Sequence, residues 1–225
     1  MQHLTILTRP QLNVYPYSKR IRFKDKTIFF NQKYSLPHWD PFFDTNREIG
    51  IIILGRPAID RDRWTRFDNQ SAFITRQIYE KFVKLPLNEF CLSINGAFTL
   101  LIIDHANDRL TLVRDRFGVF PIFSSDKNDL DHIQISTHPD ILAAHIHNQE
   151  LDGISVAEFL ACGSVSHPFT FFQDISATNP GTCLTLDYRN RKITETSYFS
   201  LEGDTGGNFK ELKEELSSVL LESIR

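Results

Sequence analysis

The sequence predicts an α+β domain in which short β-strands outnumber helices, and three observations lead to that prediction. The chain has 225 residues, which is enough for one sizeable domain with a buried core. Its 19 phenylalanines favour pleated, half-buried surfaces. Short apolar runs separated by turn-forming residues recur along the chain, whereas helical periodicity is confined to a few stretches.

The first third of the chain predicts several short strands. Residues 4–7, 21–23 and 27–30 are rich in β-branched and aromatic side chains, and prolines separate such runs. Residues 51–54 form a continuous apolar run, which predicts a buried strand. We expect that strand to end in a turn at residues 55–57, where glycine and proline flank an arginine.

A helix is predicted next, because Ile74, Ile78 and Phe82 recur every four residues. Ser71 is one of its candidate caps, and Pro86 is expected to stop any helix beyond Leu85.

The middle of the chain predicts a meander of three strands at residues 98–103, 109–113 and 119–124. Residues 132–136 alternate as a further strand, after which Thr137 can cap a short helix.

A second short helix is predicted from Asp152 to a stop at Gly163, with Val156, Phe159 and Leu160 facing inward. Residues 182–186 and 192–198 then predict a hairpin, because a polar turn separates the two runs.

The end of the chain predicts a change of domain. Residues 203–207 are glycine-rich and predict a linker, and residues 208–225 carry an apolar stripe at helical spacing. We therefore expect residues 1–202 to form one domain, and residues 208–225 to be the first helix of a following domain that continues beyond this sequence.

Composition argues against several functional classes. The formal net charge is −3 and no basic stripe is present, so nucleic acid is not an expected partner. No stretch has the length and apolarity of a membrane span, and no signal peptide is evident at the start. The three cysteines, Cys91, Cys162 and Cys183, lie far apart, which fits reduced thiols in a cytoplasmic protein rather than a metal ribbon.

One block of the sequence carries a specific family resemblance. Residues 95–98 read Asn-Gly-Ala-Phe, and residues 114–121 read Arg-Asp-Arg-Phe-Gly-Val-Phe-Pro. Later pieces at 151–160, 169–175 and 179–181 follow in the expected order. Together they resemble the class II glutamine amidotransferase domain of asparagine synthetases. The motif positions with an expected scaffold role are Arg114, Asp115, Arg116, Gly118, Pro121, Pro180 and Gly181.

The resemblance implies an N-terminal-nucleophile (Ntn) hydrolase fold, in which two antiparallel sheets stack with helices outside. It also implies a glutaminase whose N-terminal cysteine attacks an amide while its free α-amine acts as the base. This sequence begins Met1-Gln2 instead, so we expect no nucleophile there.

The expected substrate pocket departs from the family in a second way. The family's Asn-Gly-Glu motif is best matched by Leu54-Gly55-Arg56, and leucine has no side-chain donor for an oxyanion. No residue is therefore assigned a catalytic role, and none is assigned to a metal. The residues predicted to mark the relict pocket, as we name this set, are Leu54, Gly55, Arg56, Ser71, Asn95 and Gly96.

The second family activity, ATP-dependent amide formation, would belong to a following synthetase domain with a Ser-Gly-Gly-x-Asp-Ser loop. This sequence contains no such loop, so ATP and Mg²⁺ are expected only in that following domain, which is the expected partner. β-Lactam synthetases and lasso-peptide cyclases resemble this chain in having lost the nucleophile. Homodimer formation is a further open alternative.

The resemblance therefore implies a non-catalytic, glutaminase-like domain at the front of an ATP-dependent amide-forming ligase of the asparagine synthetase type, and two alternatives stay open. The chain can be a binding or scaffolding module that uses the relict pocket, or a glutamine-hydrolysing asparagine synthetase with a displaced nucleophile such as Cys91. The pair His145 and His147 is not expected to bind a metal, because the two residues fall at a predicted helix end and point apart.

Overall fold

A computed structural model describes residues 3–8, 19–31, 41–59, 72–126, 128–146, 150–201 and 208–224. The strands in these ranges are β1 (His3–Thr8), β2 (Lys19–Phe23), β3 (Lys26–Asn31), β4 (Phe42–Asp44), β5 (Ile49–Ala58), β6 (Asn95–Asp104), β7 (Arg109–Arg114), β8 (Phe123–Ser125), β9 (Gln134–Ser136), β10 (Ile175–Ala177), β11 (Thr182–Asp187) and β12 (Lys192–Ser197). The helices are α1 (Ala72–Phe82), α2 (Leu87–Leu92), α3 (Pro139–His145), α4 (Gly153–Cys162) and α5 (Phe209–Ile224).

In the described ranges the strands form two sheets of six, and every pairing is antiparallel. The first sheet has the order β10-β8-β9-β1-β3-β2, and the second has the order β12-β11-β7-β6-β5-β4. Each sheet therefore combines strands from distant parts of the chain.

The central core lies between the two sheets. Ile6 of β1 and Ile28 of β3 point into it from the first sheet, and Ile52 of β5 and Leu101 of β6 point into it from the second. Because side chains alternate along a strand, the neighbouring residues face the opposite sides of each sheet.

Those outer faces are covered by helices. Ile51 and Ile53 of β5 share a buried cluster with Ile78 of α1 and Phe90 of α2. On the first sheet, Leu7 and Phe29 pack with Leu142 of α3. The layers run helix, sheet, sheet, helix, so the predicted α+β sandwich of two antiparallel sheets flanked by helices is confirmed.

Two predictions about the second sheet are wrong. Strand β5 does not end in a turn at residues 55–57 but continues to Ala58, paired with β6 throughout. The strand passes through Gly55 at a φ of +90°, which glycine adopts without a steric penalty.

The predicted three-strand meander is also wrong. β7 pairs with β6 and β11, whereas β8 begins only at Phe123 and joins the first sheet between β10 and β9. The chain leaves the second sheet at Arg114, where a hydrogen-bonded turn replaces the expected strand.

The helical predictions need two corrections. α1 ends at Phe82, before Pro86, as expected, and Pro86 occupies the N-cap position of the separate helix α2. The N-cap position of α3 is occupied by His138 rather than Thr137, and its side chain makes no capping hydrogen bond. In α4, Asp152 and Gly163 delimit the helix as expected, but Phe159 and Leu160 are exposed instead of inward.

Helix α5 is exposed at every residue whose side chain the structure describes, including Leu216 and Leu220. The linker predicted at residues 203–207 lies outside the described residues. Among the helices that are described, none combines the length and apolar character needed to cross a bilayer.

Candidate functional site

The relict pocket lies at the end of the second sheet where β5 finishes and β6 begins. In the register of these strands, Arg56 is opposite Ala97 and Pro57 is opposite Gly96. Ala58 is opposite Asn95, so the two halves of the predicted pocket meet at one sheet end. Ser71 lies outside the described residues.

Leu54 does not face this sheet end as a pocket residue. Its side chain is 1% exposed and packs in the core between the two sheets. It offers only hydrocarbon, so it cannot donate a hydrogen bond to a developing oxyanion.

Gly55 sits in a tightly filled position. A Cβ there would lie 2.3 Å from the carbonyl oxygen of Ala97 and 2.6 Å from Cε2 of Phe120. The Phe120 ring therefore packs directly on the backbone of Gly55. Phe120 is the pocket neighbour that the sequence analysis missed, because nothing in the local pattern indicates that its turn folds back onto β5.

Gly96 makes a similarly close approach. Its φ is +95°, and a Cβ would lie 2.3 Å from the carbonyl oxygen of Arg56. The backbones of the two strands thus meet where a side chain would obstruct them, which explains why glycine stands at both positions. The Arg56 side chain is exposed at this rim.

The carboxylate of Asp115 organises the turn that follows β7. It is fully buried, and its Oδ1 accepts hydrogen bonds from the backbone N–H groups of Phe117 and Val119 at 3.0 and 3.2 Å. Oδ2 accepts from the backbone of Phe120 at 3.4 Å. The backbone N–H of Asp115 itself donates to the carbonyl of Phe98 on β6 at 3.1 Å. The Asp115 side chain therefore holds the turn, and its backbone holds the turn against the pocket strands.

Arg114 is buried beside it. One guanidinium nitrogen donates to the carbonyl of Thr178 and another donates to the carbonyl of Gly118 at 3.0 Å. Burial lowers the pKa of Arg114, while Asp115 and Glu195 oppose that shift. Gly118 has a φ of +64°, and a Cβ on it would lie 2.7 Å from the guanidinium.

Arg116 and Gly181 extend this network in two directions. Arg116 donates to the carbonyl of Leu92 at 2.7 Å, and its guanidinium lies 5.2 Å from the centroid of the Phe199 ring. Gly181 donates its backbone N–H to the carbonyl of Asp115 at 2.9 Å. Most of the predicted motif positions thus meet in one place, although they come from separate parts of the chain.

The two motif prolines lie at the edges of this hydrogen-bond network. Pro121 is exposed two residues before β8, and Pro180 is exposed directly before Gly181. Neither side chain is buried in the turn, so their contribution is to the path of the backbone.

All three cysteines lie among the described residues. Cys91 on α2 and Cys183 on β11 are buried, whereas Cys162 is exposed at the last turn of α4. The hydrogen bond between the two buried thiols and burial itself raise the pKa of Cys91. A thiol in that state is a poor nucleophile, so the structure does not favour Cys91 as a displaced catalytic residue.

A group that the sequence analysis did not single out comprises Asp126, Asp129 and His132, whose ligand atoms lie within 4.8 Å of one another. Asp129 already accepts hydrogen bonds from His132 and from the backbone of Asp131. The hydrogen bond with Asp129 raises the pKa of His132 and lowers that of Asp129. These contacts account for the group without a metal. His147, the second member of the histidine pair considered earlier, lies outside the described residues.

Comparison with known proteins yields one family match and two structural likenesses. A family model described as a glutamine amidotransferase domain matches residues 75–199, which is more than half of the chain. No curated protein sequence matches.

The first structural likeness is to a glutamine phosphoribosylpyrophosphate amidotransferase from B. subtilis complexed with ADP and GMP, at a TM-score of 0.43. The second is to a structure of the allosteric regulatory enzyme of purine biosynthesis, at a TM-score of 0.44. Each is 10% identical and aligns with 89% of this chain but only 43% of its own length.

Proposed function

We infer the function of this protein from its family: the chain belongs to the glutamine amidotransferase domain family. Within it, we propose a non-catalytic, glutaminase-like domain at the front of an ATP-dependent amide-forming ligase of the asparagine synthetase type. The observation that carries the proposal is Leu54, a core residue at the position that resembles the family's oxyanion donor.

Glutamine hydrolysis requires a donor beside the carbonyl oxygen that becomes negatively charged. The side chain of Leu54 supplies none and is turned into the core. The neighbouring position, Gly55, is packed against the ring of Phe120. At the positions that resemble the family's oxyanion motif, an apolar side chain and an aromatic ring therefore support the proposed loss of glutaminase activity.

The reaction also requires an accessible thiolate with a base beside it. Cys91 and Cys183 are buried against each other, and the hydrogen bond and burial that raise the pKa of Cys91 disfavour its thiolate. Cys162, by contrast, is exposed at the last turn of α4. Cys91 and Cys183 therefore lack the access that nucleophilic attack needs.

The motif turn, residues 114–118, supports a retained scaffold. Its buried charges, those of Arg114 and Asp115, are engaged by backbone groups of the same chain, so they hold the fold. A domain that keeps this scaffold while lacking the reacting groups fits a supporting role.

An exposed apolar surface on the first sheet's side supports a domain partner. We define this apolar surface by the side chains of Leu151, Ile154, Phe159, Leu160, Phe169 and Phe171. Phe159 and Phe171 pack edge to face at 5.2 Å, so the surface is continuous across α4 and the segment that follows it. A surface of this kind is typical of a region covered by a partner. We propose that the partner is the synthetase domain, which would hold ATP and Mg²⁺. Cytoplasmic location and homodimer formation stay predictions.

An ammonia-release assay with glutamine tests the non-catalytic assignment. We expect turnover at the background rate, and we expect Cys91→Ala and Cys162→Ala to leave that rate unchanged. Turnover above background that either substitution abolishes would show a displaced nucleophile and overturn the assignment.

The reading frame beyond Arg225 tests the parent ligase. We expect it to continue into a domain with a Ser-Gly-Gly-x-Asp-Ser loop. A frame that stops close to Arg225 would remove the ligase and leave a binding or scaffolding module.

A further inference from the structure

Two of the three cysteines form a pair that neither the family nor the proposed function uses. The Sγ atoms of Cys91 on α2 and Cys183 on β11 lie 3.2 Å apart, close enough for one thiol to donate a hydrogen bond to the other. The side chains are 0% and 3% exposed, and both belong to the cluster between α2 and the second sheet.

We propose that Cys91 and Cys183 are a site of reversible oxidation, at which a peroxide converts the two thiols into a disulfide that ties α2 to β11. The proposal goes beyond the proposed function and does not rest on it. It requires only the folded domain and an oxidant of the peroxide class.

The geometry needs little change to accept the bond. A disulfide holds its sulfur atoms about 2.05 Å apart, so the two Sγ atoms need to approach by roughly 1.1 Å. The two residues are 92 positions apart in sequence, and the fold alone brings them together. A cross-link that closes so long a loop restricts the unfolded chain strongly.

The reaction balances with one peroxide for each pair. The thiolate of one cysteine attacks a peroxide oxygen, which breaks the O–O bond, gives a sulfenic acid and releases water. The second thiol then displaces the hydroxyl group from that sulfur, and a second water leaves. Two thiols lose two protons and two electrons, and hydrogen peroxide takes them up as two molecules of water.

Access to the pair is governed by α2. This helix has six residues and no side-chain cap at its N-terminus, but it carries Phe90 and Cys91 at 0% exposure, so a peroxide reaches the pair only when the helix opens locally. The hydrogen bond with Cys183 and burial raise the pKa of Cys91, so the closed domain reacts slowly at neutral pH. Oxidation is therefore expected when α2 opens or while the chain folds.

The disulfide would brace the motif turn. Leu92, the residue after Cys91, accepts the hydrogen bond from Arg116. Tyr198 packs in the same cluster as both cysteines and donates to the carbonyl of Arg114 at 2.6 Å. Both ends of the cross-link thus adjoin groups that hold this turn.

The test oxidises the whole chain with hydrogen peroxide in two ways, in mild urea and during refolding from full denaturant. We expect intact mass to fall by two hydrogens and the count of free thiols in denaturant to fall from three to one. Peptide mapping should link the peptides that carry Cys91 and Cys183. The oxidised protein should show a higher Tm, which a reductant returns to its starting value.

The Cys162→Ser variant is the matched control, and we expect it to show the same mass loss and the same reductant-sensitive rise in Tm. Cys183→Val and Cys91→Ser should abolish both effects while their reduced forms still unfold cooperatively. A cross-link through Cys162, or thiols that stay reduced after both treatments while Cys162 is oxidised, would overturn the proposal.

Discussion

The motif turn and helix α4 reverse the usual distribution of residue types in opposite ways. The turn buries charge, with Arg114 6% exposed and Asp115 0% exposed. Helix α4 exposes hydrocarbon, with Ile154 81% exposed and Leu160 80% exposed. Charged residues are normally outside and large apolar residues normally inside, so each region requires an explanation.

The difference lies in where the partners come from. The buried charges of the turn are held by backbone carbonyls and N–H groups of the same chain, with Nε of Arg114 left without a partner among the described residues. The apolar residues of α4 have no such cover among the described residues. The turn is thus complete within this domain, whereas α4 has the character of an interface.

The largest expected effect comes from Asp115→Ala, which removes the buried carboxylate that holds the motif turn. Three backbone donors lose a fully buried acceptor, so we expect the free energy of unfolding to fall by about 3 kcal/mol. Urea unfolding followed by circular dichroism measures it. Asp104→Ala is the control, because its turn carboxylate is more exposed, and its cost should stay below about 1 kcal/mol. Equal losses for the two variants would contradict this account of the turn.

Two glycines allow the free-energy cost of backbone strain to be measured apart from the cost of a steric clash. Gly118 and Gly163 have similar positive φ values, +64° and +75°, but only at Gly118 would a Cβ meet a neighbour, the Arg114 guanidinium. We expect Gly163→Ala to cost about 1 kcal/mol and Gly118→Ala about 2–3 kcal/mol. The comparison uses the same urea titration. A cost for Gly163→Ala as large as that for Gly118→Ala would show that the collision adds nothing.

Acid titration extends the comparison to a second turn carboxylate, that of Asp187. Burial would raise the pKa of Asp187, but hydrogen bonds from Asn190 and Arg109 outweigh it and lower the pKa to about 2. A depressed pKa contributes stability above the unfolded value, and that stability is lost as the pH falls from about 4 to about 2. Thermal unfolding between pH 2 and pH 5 measures the loss. Asp187→Asn should flatten the dependence in this window; an unchanged slope would assign it to other groups.

The smallest effect is expected on α4. Ile154→Ser and Leu160→Ser should change the free energy of unfolding by no more than about 0.5 kcal/mol, because both side chains are already in water. Leu142→Ala on α3 is the buried counterpart and should cost about 3 kcal/mol. If the serine variants destabilise the isolated domain as much as Leu142→Ala, α4 packs inside this chain and is no interface.

Most strands could be predicted from the sequence because their side chains alternate or form short apolar runs. The continuous apolar runs at β5 and β6 predict buried strands, which the two clusters on their two faces confirm. Helix α4 was bounded correctly because Asp152 and Gly163 are local signals. The inward face of α4 was not predicted correctly, because apolar residues lie on several sides of this helix and do not single out one face.

What escaped prediction depends on long-range placement. The transfer of β8 to the first sheet follows from the turn at Asp115, and nothing local distinguishes it from the third strand of a meander. The packing of Phe120 on Gly55 is likewise a contact between distant segments. The pairing of Cys91 with Cys183 joins α2 to the outer face of the second sheet and leaves no spacing signal in the sequence. Ser71, predicted for the relict pocket, lies outside the described residues.

The hydrogen bonds of the motif turn also impose an order on folding. Arg114 and Asp115 meet partners on β6, at Thr178 and at Gly181, so the turn joins the middle of the chain to a segment made much later. Until Thr178 and Gly181 emerge from the ribosome, the Arg114 guanidinium lacks one of its carbonyl acceptors and the Asp115 carbonyl lacks its N–H donor. The second sheet therefore closes late in synthesis, and a nascent chain that stops before Thr178 should stay open to proteases.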